Sequence, residues 1–492
     1  MTTAPISTLA AGEVRTHDRL FIGGRWIQPH GGARIEVVSP NTEEILGTVP
    51  DGSLADVDAA VAAARAAFDN SSVWSGLEPA VRAGHLRRFA DEIDVRKDEL
   101  AGLVSAQNGM PIAVAGQLEA VYPSTLLRYY ADLIENQAED VRQGMFGGLV
   151  EVRRDPIGVV GAIVPWNFPQ TLAAFKFAPA LAAGCTLVIK PSPETVLDSF
   201  VLAEAAEAAG LPAGVINIVP GGREAGAHLV AHPGVDKVAF TGSTPAGIAI
   251  AETCGRLLRP VTLELGGKSA TIVLDDAELD LATIGNELFV ATLANNGQTC
   301  FLGTRVLAPR ARYGEVVDVL TAFAESMAIG DSRDPGTQIG PMATARHRER
   351  VEGYIAAGRS EGGRITTGGG RPADQDRGWF VQPTVFADVD NKVTIAREEI
   401  FGPVLSVIAY DGDDDAVAIA NDSDFGLGGT VWSSDPDRAR AVASRVKTGT
   451  IGINRYIPDP IAPFGGIKQS GMGRELGPEG LAAYQNIKSI YR

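Results

Sequence analysis

The chain has 492 residues, 45% hydrophobic and 21% charged, which is apolar material enough for two or three packed domains. A formal net charge of −17 and a pI near 4.9 repel nucleic acid and anionic membrane, so neither is expected as a partner. Cys185, Cys254 and Cys300 are few, odd in number and without metal-ligand spacing, which argues against a disulfide framework and fits a reducing compartment.

Taken in chain order, Met1 to Arg15 lacks a basic start followed by an apolar core, so no signal peptide is expected and the protein reads as cytoplasmic. Residues 1–18 read as a loose arm. Phe21 to Trp26 and Ile35 to Val38 alternate like short strands. Ser53 caps an alanine-rich helix running to Phe68, and further helix is expected over 78–108 and 116–136.

From Gly158 the texture changes. Val159 to Val164 is a buried strand ending in Pro165-Trp166-Asn167-Phe168-Pro169. A helix from about Leu172 to Ala183 follows; Lys176 and Pro179 interrupt the apolar run here, so it is no membrane span. Strands at Thr186 to Ile189, Val215 to Val219 and Lys237 to Phe240 alternate with helices over 197–209 and 223–231. This rhythm predicts a parallel, doubly wound sheet, whose ligands bind beyond the carboxyl ends of the strands. His228 and His232, four apart before Pro233, read as a solvated helix end, and no metal site is expected.

Three stretches could carry chemistry. The turn from Gly242 to Gly247 opens a helix after a strand, as a pyrophosphate site would, or is a bare turn. Glu264, among leucines in Val261 to Leu265, is either a solvated edge residue or a base with a raised pKa. Cys300 follows an apolar helix, Leu288 to Ala294, and the turn Asn295-Asn296-Gly297; it is either a small buried hydrophobe or a nucleophile that side-chain-free Gly297 lets a substrate approach.

Alternating α and β patterns then resume, with a charged helix over 341–359 and strands at Val431-Trp432 and Ile451 to Asn454. The chain closes on Ile487 to Tyr491, a strand whose exposed edge suggests subunit association.

An ordered series of motifs runs through the chain: PWNFP at 165–169, FTGST at 240–244, LELGGKS at 263–269, NNGQTC at 295–300, EEIFGPV at 398–404 and PFGGIKQSG at 463–471. Together they resemble the NAD(P)-dependent aldehyde dehydrogenases over roughly residues 20–490. The resemblance implies an α/β fold of two Rossmann-like, doubly wound parallel-sheet domains with a small β oligomerisation arm. Its expected bounds are 1–137 with 154–262 for the cofactor domain, 263–470 for the catalytic domain, and 138–153 with 471–492 for the arm. The implied assembly is a homodimer or homotetramer.

By the same resemblance, Cys300 attacks the aldehyde, Asn167 and the Cys300 backbone N–H stabilise the oxyanion, and Glu264 activates water to release the acid. Lys268 and Glu475 are candidate proton-relay groups, although Lys268 could equally form a surface or structural ion pair. For the cofactor, Lys190 is expected at the adenosine ribose, Gly242 and Ser243 at the pyrophosphate, Glu399 at the nicotinamide ribose, and Phe401, Trp166 and Pro165 along the cleft. Many NAD-preferring members carry a glutamate three residues after the lysine. That place is Pro193 here, with Glu194 next and no arginine nearby in the sequence, so NAD is expected first and NADP stays open. Tyr122, Leu172, Phe175, Phe301 and Phe464 are implied as tunnel wall, or else fill core, with Arg455 and Asp459 able to charge the mouth. The apolar set points to an aliphatic, aromatic or terpenoid aldehyde. A coenzyme A-acylating enzyme and an inactive cofactor-binding scaffold are the competing readings; Glu264 disfavours the first, and Cys300, Glu264 and Asn167 together disfavour the second.

Overall fold

The computed structural model describes residues 15–492, so the expected N-terminal arm lies outside it up to residue 14. Arg15–Thr16 already pairs in parallel with Gly47 and Thr48. The capping box at Ser53 is present: its side chain accepts from the Asp56 N–H, and the Asp56 side chain accepts from the Ser53 N–H. The helix expected over 78–108 is two, Pro79–Val95 and Lys97–Asn108, because Arg96 at φ −102°, ψ 6° turns the chain between them. The stretch 116–136 likewise splits into Ile112–Leu118 and Tyr122–Glu135.

The first large sheet runs Gly471–Met472, Val261–Glu264, Lys237–Thr241, Val159–Ile163, Thr186–Lys190, Ile216–Ile218, Leu20–Ile22, Arg25–Ile27. Its five central strands are parallel. Their side chains divide by the two-residue period: Val160 and Ala162 join the core on one face, Val159 and Ile163 the core on the other. Burial on both faces explains why these strands read as unbroken apolar runs. The chain lays down Val159–Ile163, Thr186–Lys190 and Ile216–Ile218 in one direction, then returns to set Lys237–Thr241 on the other side of Val159–Ile163. The order therefore reverses between Val159–Ile163 and Lys237–Thr241, and a crevice opens beyond their carboxyl ends.

Leu265 to Ser269 carries the chain into a second sheet, ordered Arg364–Thr367, Thr384–Ala387, Val404–Tyr410, Arg305–Pro309, Ala270–Val273, Gly429–Trp432, Gly452–Ile453. It is parallel apart from Arg364–Thr367. A third sheet joins Asp140–Gln143, Leu149–Pro156 and the terminal strand Gln485–Tyr491. The terminal strand is thus paired within the chain on one side, by Leu149–Pro156. No helix among the described residues is long and apolar enough to cross a membrane.

Candidate active site

The helix expected to run through Ala294 ends at Thr292, and Ala294–Gly297 follows as one tight turn. Asn295 (φ 53°), Asn296 (φ 60°) and Gly297 (φ 76°) are consecutively left-handed. Non-glycine residues held this way cost about 1–3 kcal/mol each and persist only where their surroundings over-determine them. The surroundings do so here. Asn295 donates its amide to Asn167 O at 2.9 Å, and Asn296 donates to Gly109 O at 2.8 Å and Pro341 O at 3.0 Å. Asn296 also accepts from Gly340 N at 2.7 Å, and Gln298 accepts from Ala343 N at 2.9 Å. Gly297 does not open a path for substrate: a Cβ there would run into the Gly402 carbonyl, so its bareness admits the Gly402–Pro403 backbone.

This loop delivers Cys300 to the wall of a cleft of about 700 Å³, shared with Pro165, Trp166, Asn167, Gly242, Ser243, Glu399 and Phe401. The cleft lies at the sheet's reversal point, between the segments that follow Val159–Ile163 and Lys237–Thr241. Asn167, buried, donates one amide hydrogen to Gln298 O at 3.0 Å, which leaves its second hydrogen unspent by that bond. The Cys300 N–H lies at its own sulfur. Burial, then the negative charges of Glu264 and Glu399, push the Cys300 thiol well above its ordinary pKa. Glu264 ends its strand 1% exposed, with Oε1 unpaired. Burial, reinforced by the charge of Glu475, raises its pKa well above the carboxylate range.

The structure separates the two candidate relay groups. Glu475 pairs with Lys176 at 2.8 Å, both fully enclosed, and Lys176 also donates to Thr241 Oγ1 at 2.6 Å. The sequence signal for Lys176 was a lone cation inside an otherwise apolar helix. Lys268 is not part of that pair: its amine has no hydrogen-bond partner, and burial together with the neighbouring Arg305 pulls its pKa down to about 7.

Several groups around the cleft suit a dinucleotide. Ser243 is the N-cap of Thr244–Arg256, yet its exposed hydroxyl is not spent on the cap. Gly242 is bare because a Cβ would strike the Phe240 ring. Glu399 accepts from Gly267 N at 2.9 Å, and burial lifts its carboxyl to about 7. Trp166 stands edge-on to Phe401 at 5.4 Å and to His347 at 5.1 Å. The imidazole of His347, not anticipated from sequence, lines the same wall, and burial lowers its pKa to about 4. Lys190 is not among the residues that line the cleft; it donates to Pro191 O at 2.9 Å and Gly221 O at 2.8 Å, with its pKa drawn down to about 8 by burial. No arginine stands near Glu194 in the sequence, but the helix Ala345–Ser360 brings Arg346 to 4.0 Å from its carboxylate.

Leu172, Phe175 and Phe464 belong to one hydrophobic cluster, against which Tyr122, Cys300 and Phe301 pack. Ring centroids step from Tyr122 to Phe175 (5.7 Å), Phe464 (6.0 Å) and Phe301 (6.2 Å). Tyr456, missed in the sequence, adds its ring 4.8 Å from Phe301 and bonds its hydroxyl to Thr450, so an apolar face meets the row. Arg455 and Asp459 are exposed.

Far from the cleft, Asp58, His228 and His232 bring three potential ligand atoms within 4.8 Å. His232 accepts the Gly234 N–H at Nδ1, which leaves Nε2 as the protonated nitrogen of the neutral ring, facing Asp58 at 3.3 Å. That tautomer makes the pair a hydrogen bond and takes away the lone pair a metal would need.

Cys300 and Asn167 thus stand on the wall of a crevice at the sheet's reversal point, with the buried carboxylate of Glu264 near enough for its charge to bear on the thiol. The aldehyde dehydrogenase family model matches residues 26–490. A geranial dehydrogenase of Castellaniella defragrans is 60% identical over 476 residues, 96% of this chain and 98% of that protein. An aldehyde dehydrogenase of Mycobacterium tuberculosis, solved with NAD+, superposes with a TM-score of 0.94 at 47% identity, covering 98% of this chain and 99% of its own. The aldehyde dehydrogenase AldC of Pseudomonas syringae, solved as a mutant with NAD+ and octanal, gives 0.92 at 41%, covering 96% of each chain. With the thiol on the wall of the reversal-point crevice and this likeness spanning nearly its whole length, the chain belongs to the aldehyde dehydrogenase family.

Proposed function

We propose that this chain oxidises a hydrophobic aldehyde, terpenoid or long aliphatic, to its carboxylic acid, with NAD as the first-choice acceptor. The observation that carries this reading is that Cys300 both lines the roughly 700 Å³ cleft and packs against the hydrophobic cluster that holds Leu172, Phe175 and Phe464. Bound NAD supplies the hydride acceptor. Cys300, once its proton has left for a base, adds to the carbonyl carbon to form a thiohemiacetal. The free amide hydrogen of Asn167 and the Cys300 N–H stabilise the oxygen's developing charge. Loss of hydride leaves a thioester. Glu264, whose raised pKa makes it a strong carboxylate base when ionised, takes a proton from water, which attacks the thioester and frees the acid. Glu475, whose charge bears on Glu264 and which is paired with Lys176, is the neighbour that can take up that proton.

The comparisons support the substrate class, because a 60%-identical relative is a geranial dehydrogenase. The test is a panel of geranial, octanal, betaine aldehyde and succinate semialdehyde, with NAD and NADP side by side. Geranial or octanal should give the highest kcat/KM; a clear preference for either charged aldehyde overturns the reading. Pro193 stands where many NAD-preferring relatives carry a glutamate, and Arg346 lies 4.0 Å from the neighbouring Glu194, so measurable NADP turnover is expected beneath NAD turnover.

Homodimeric or homotetrameric association belongs to the same proposal. The hairpin tip leaves Met145 and Phe146 97% and 106% exposed, and the terminal strand leaves Ile487 72% exposed. Such an apolar fringe on a small open sheet is a surface for another copy. Sedimentation equilibrium tests it, and a monomer at micromolar concentration refutes it.

A further inference from the structure

The helix Pro169–Ala183 begins two residues after Asn167, and it lacks a cap of its own. Its N-cap is Phe168, which has no oxygen to offer, and Pro169 has no N–H. The next first-turn donors would be orphans in a fully buried helix. Glu119 receives them. Its Oε2 accepts from Gln170 N at 2.7 Å and its Oε1 lies 3.4 Å from Thr171 N, while Thr171 Oγ1 donates to Leu118 O at 2.9 Å. A carboxyl borrowed from another segment thus terminates the helix and bolts it to the residues that precede Tyr122.

Glu119 is 0% exposed and has no cation among its hydrogen-bond partners. Burial pushes its pKa up to about 8. Burying an ionisable group is costly, and an apolar side chain would have avoided that cost. What the carboxyl secures is the loop. Beside it, Gln170 and Gln107 both donate to Asp198, and Gln107 accepts from Leu197 N at 3.0 Å. The next residue, Asn108, donates to Trp166 O at 3.0 Å and Asn167 O at 2.9 Å. The backbone on both sides of the Asn167 side chain is therefore clamped, by Asn108 before it and by Glu119 after it. An oxyanion donor works because it is already in place when charge develops, and errors near 1 Å cost roughly 10²-fold.

We propose that Glu119 is a positioning residue for the Asn167 amide, acting through the first turn of Pro169–Ala183. This rests on the reading of Asn167 as an oxyanion donor. Glu119 itself lies outside the cleft wall, so its effect falls on the acylation step and not on cofactor affinity.

The test is the pre-steady-state NADH burst with octanal, with the NAD Kd measured separately by fluorescence quenching. Glu119→Ala should slow the burst about tenfold or more with an unchanged Kd. Glu119→Gln should restore most of the rate, because its amide oxygen still accepts from Gln170 N. In an Asn167→Ala background, Glu119→Ala should change the burst less than about twofold, since residues acting as one unit are not additive. Should Glu119→Ala not fold, Glu119→Asp, which withdraws the oxygens by one methylene, gives a smaller loss with the same dependence on Asn167. Independent, multiplying effects, or an unchanged burst in the single variants of Glu119, overturn the positioning role while leaving Asn167 in place. An unchanged burst in Asn167→Ala alone removes the oxyanion reading and this inference with it.

Discussion

The side-chain amide of Asn167 donates to the backbone carbonyl of Gln298 at 3.0 Å, two residues before Cys300. In return, Asn295 of the cysteine loop donates to the Asn167 carbonyl at 2.9 Å. Asn167 and the loop that carries Cys300 are thus registered against each other by two reciprocal bonds, although 128 residues separate Asn167 from Asn295. Asn167→Ala should lower kcat for acylation by about 10²–10³-fold, the usual loss for one oxyanion donor. Stopped-flow burst rates check this, and a loss below threefold contradicts it.

Glu264 sets a pH dependence with a definite sign. Its pKa is raised by burial and then by Glu475, so the base form accumulates only as pH climbs past the ordinary carboxylate range. Deacylation should rise with pH through that raised value and level off above it. The stability linkage runs the opposite way: the neutral acid's contribution is complete below the unfolded pKa and is lost as pH rises through the folded one. Glu264→Gln should keep the NADH burst, lose steady turnover and flatten the profile. An unaltered steady-state rate in that variant excludes Glu264 as the base.

Lys176 and Glu475 form an enclosed ion pair at 2.8 Å. Removing one partner of such a pair leaves the other charge uncompensated and costs about 3–5 kcal/mol. Lys176→Met should therefore destabilise the chain by that order in urea unfolding, and a second change, Glu475→Met, should recover part of it. Equal stability of the single variant and the parent argues against the pair's structural role.

Gly297 combines a φ of 76° with a packed Gly402–Pro403 backbone where its Cβ would stand. Gly297→Ala should displace the cysteine loop and reduce soluble, active protein sharply, beyond the ~1–3 kcal/mol of backbone strain alone. Thiol-alkylation kinetics and thermal unfolding together check it. If Cys300 reacts normally in a protein of parent stability, Gly297 is not the packing point described.

The local chemistry was legible in the chain. The alternation of apolar runs and helical periods marked the parallel strands, Ser53 marked its helix start, and the six motifs marked the thiol, amide and carboxylates. Each of these depends on neighbours in sequence, where period, caps and turn residues act. Other features were not legible, His347 and Tyr456 among them, and three show why. Gly297 was given to substrate access, but its neighbour is Gly402, roughly a hundred positions on. Glu475 finds its cation in Lys176 and not Lys268, because a buried charge pairs with whichever partner the packing brings across the core. Arg346 reaches Glu194 only because a helix of the later half lies over the cofactor wall. By itself the sequence determined the family, and with it the fold class and the reaction class. Only the tertiary structure decided which buried charges compensate each other and which backbone holds Asn167 still, because both are properties of long-range packing with no local periodicity to announce them.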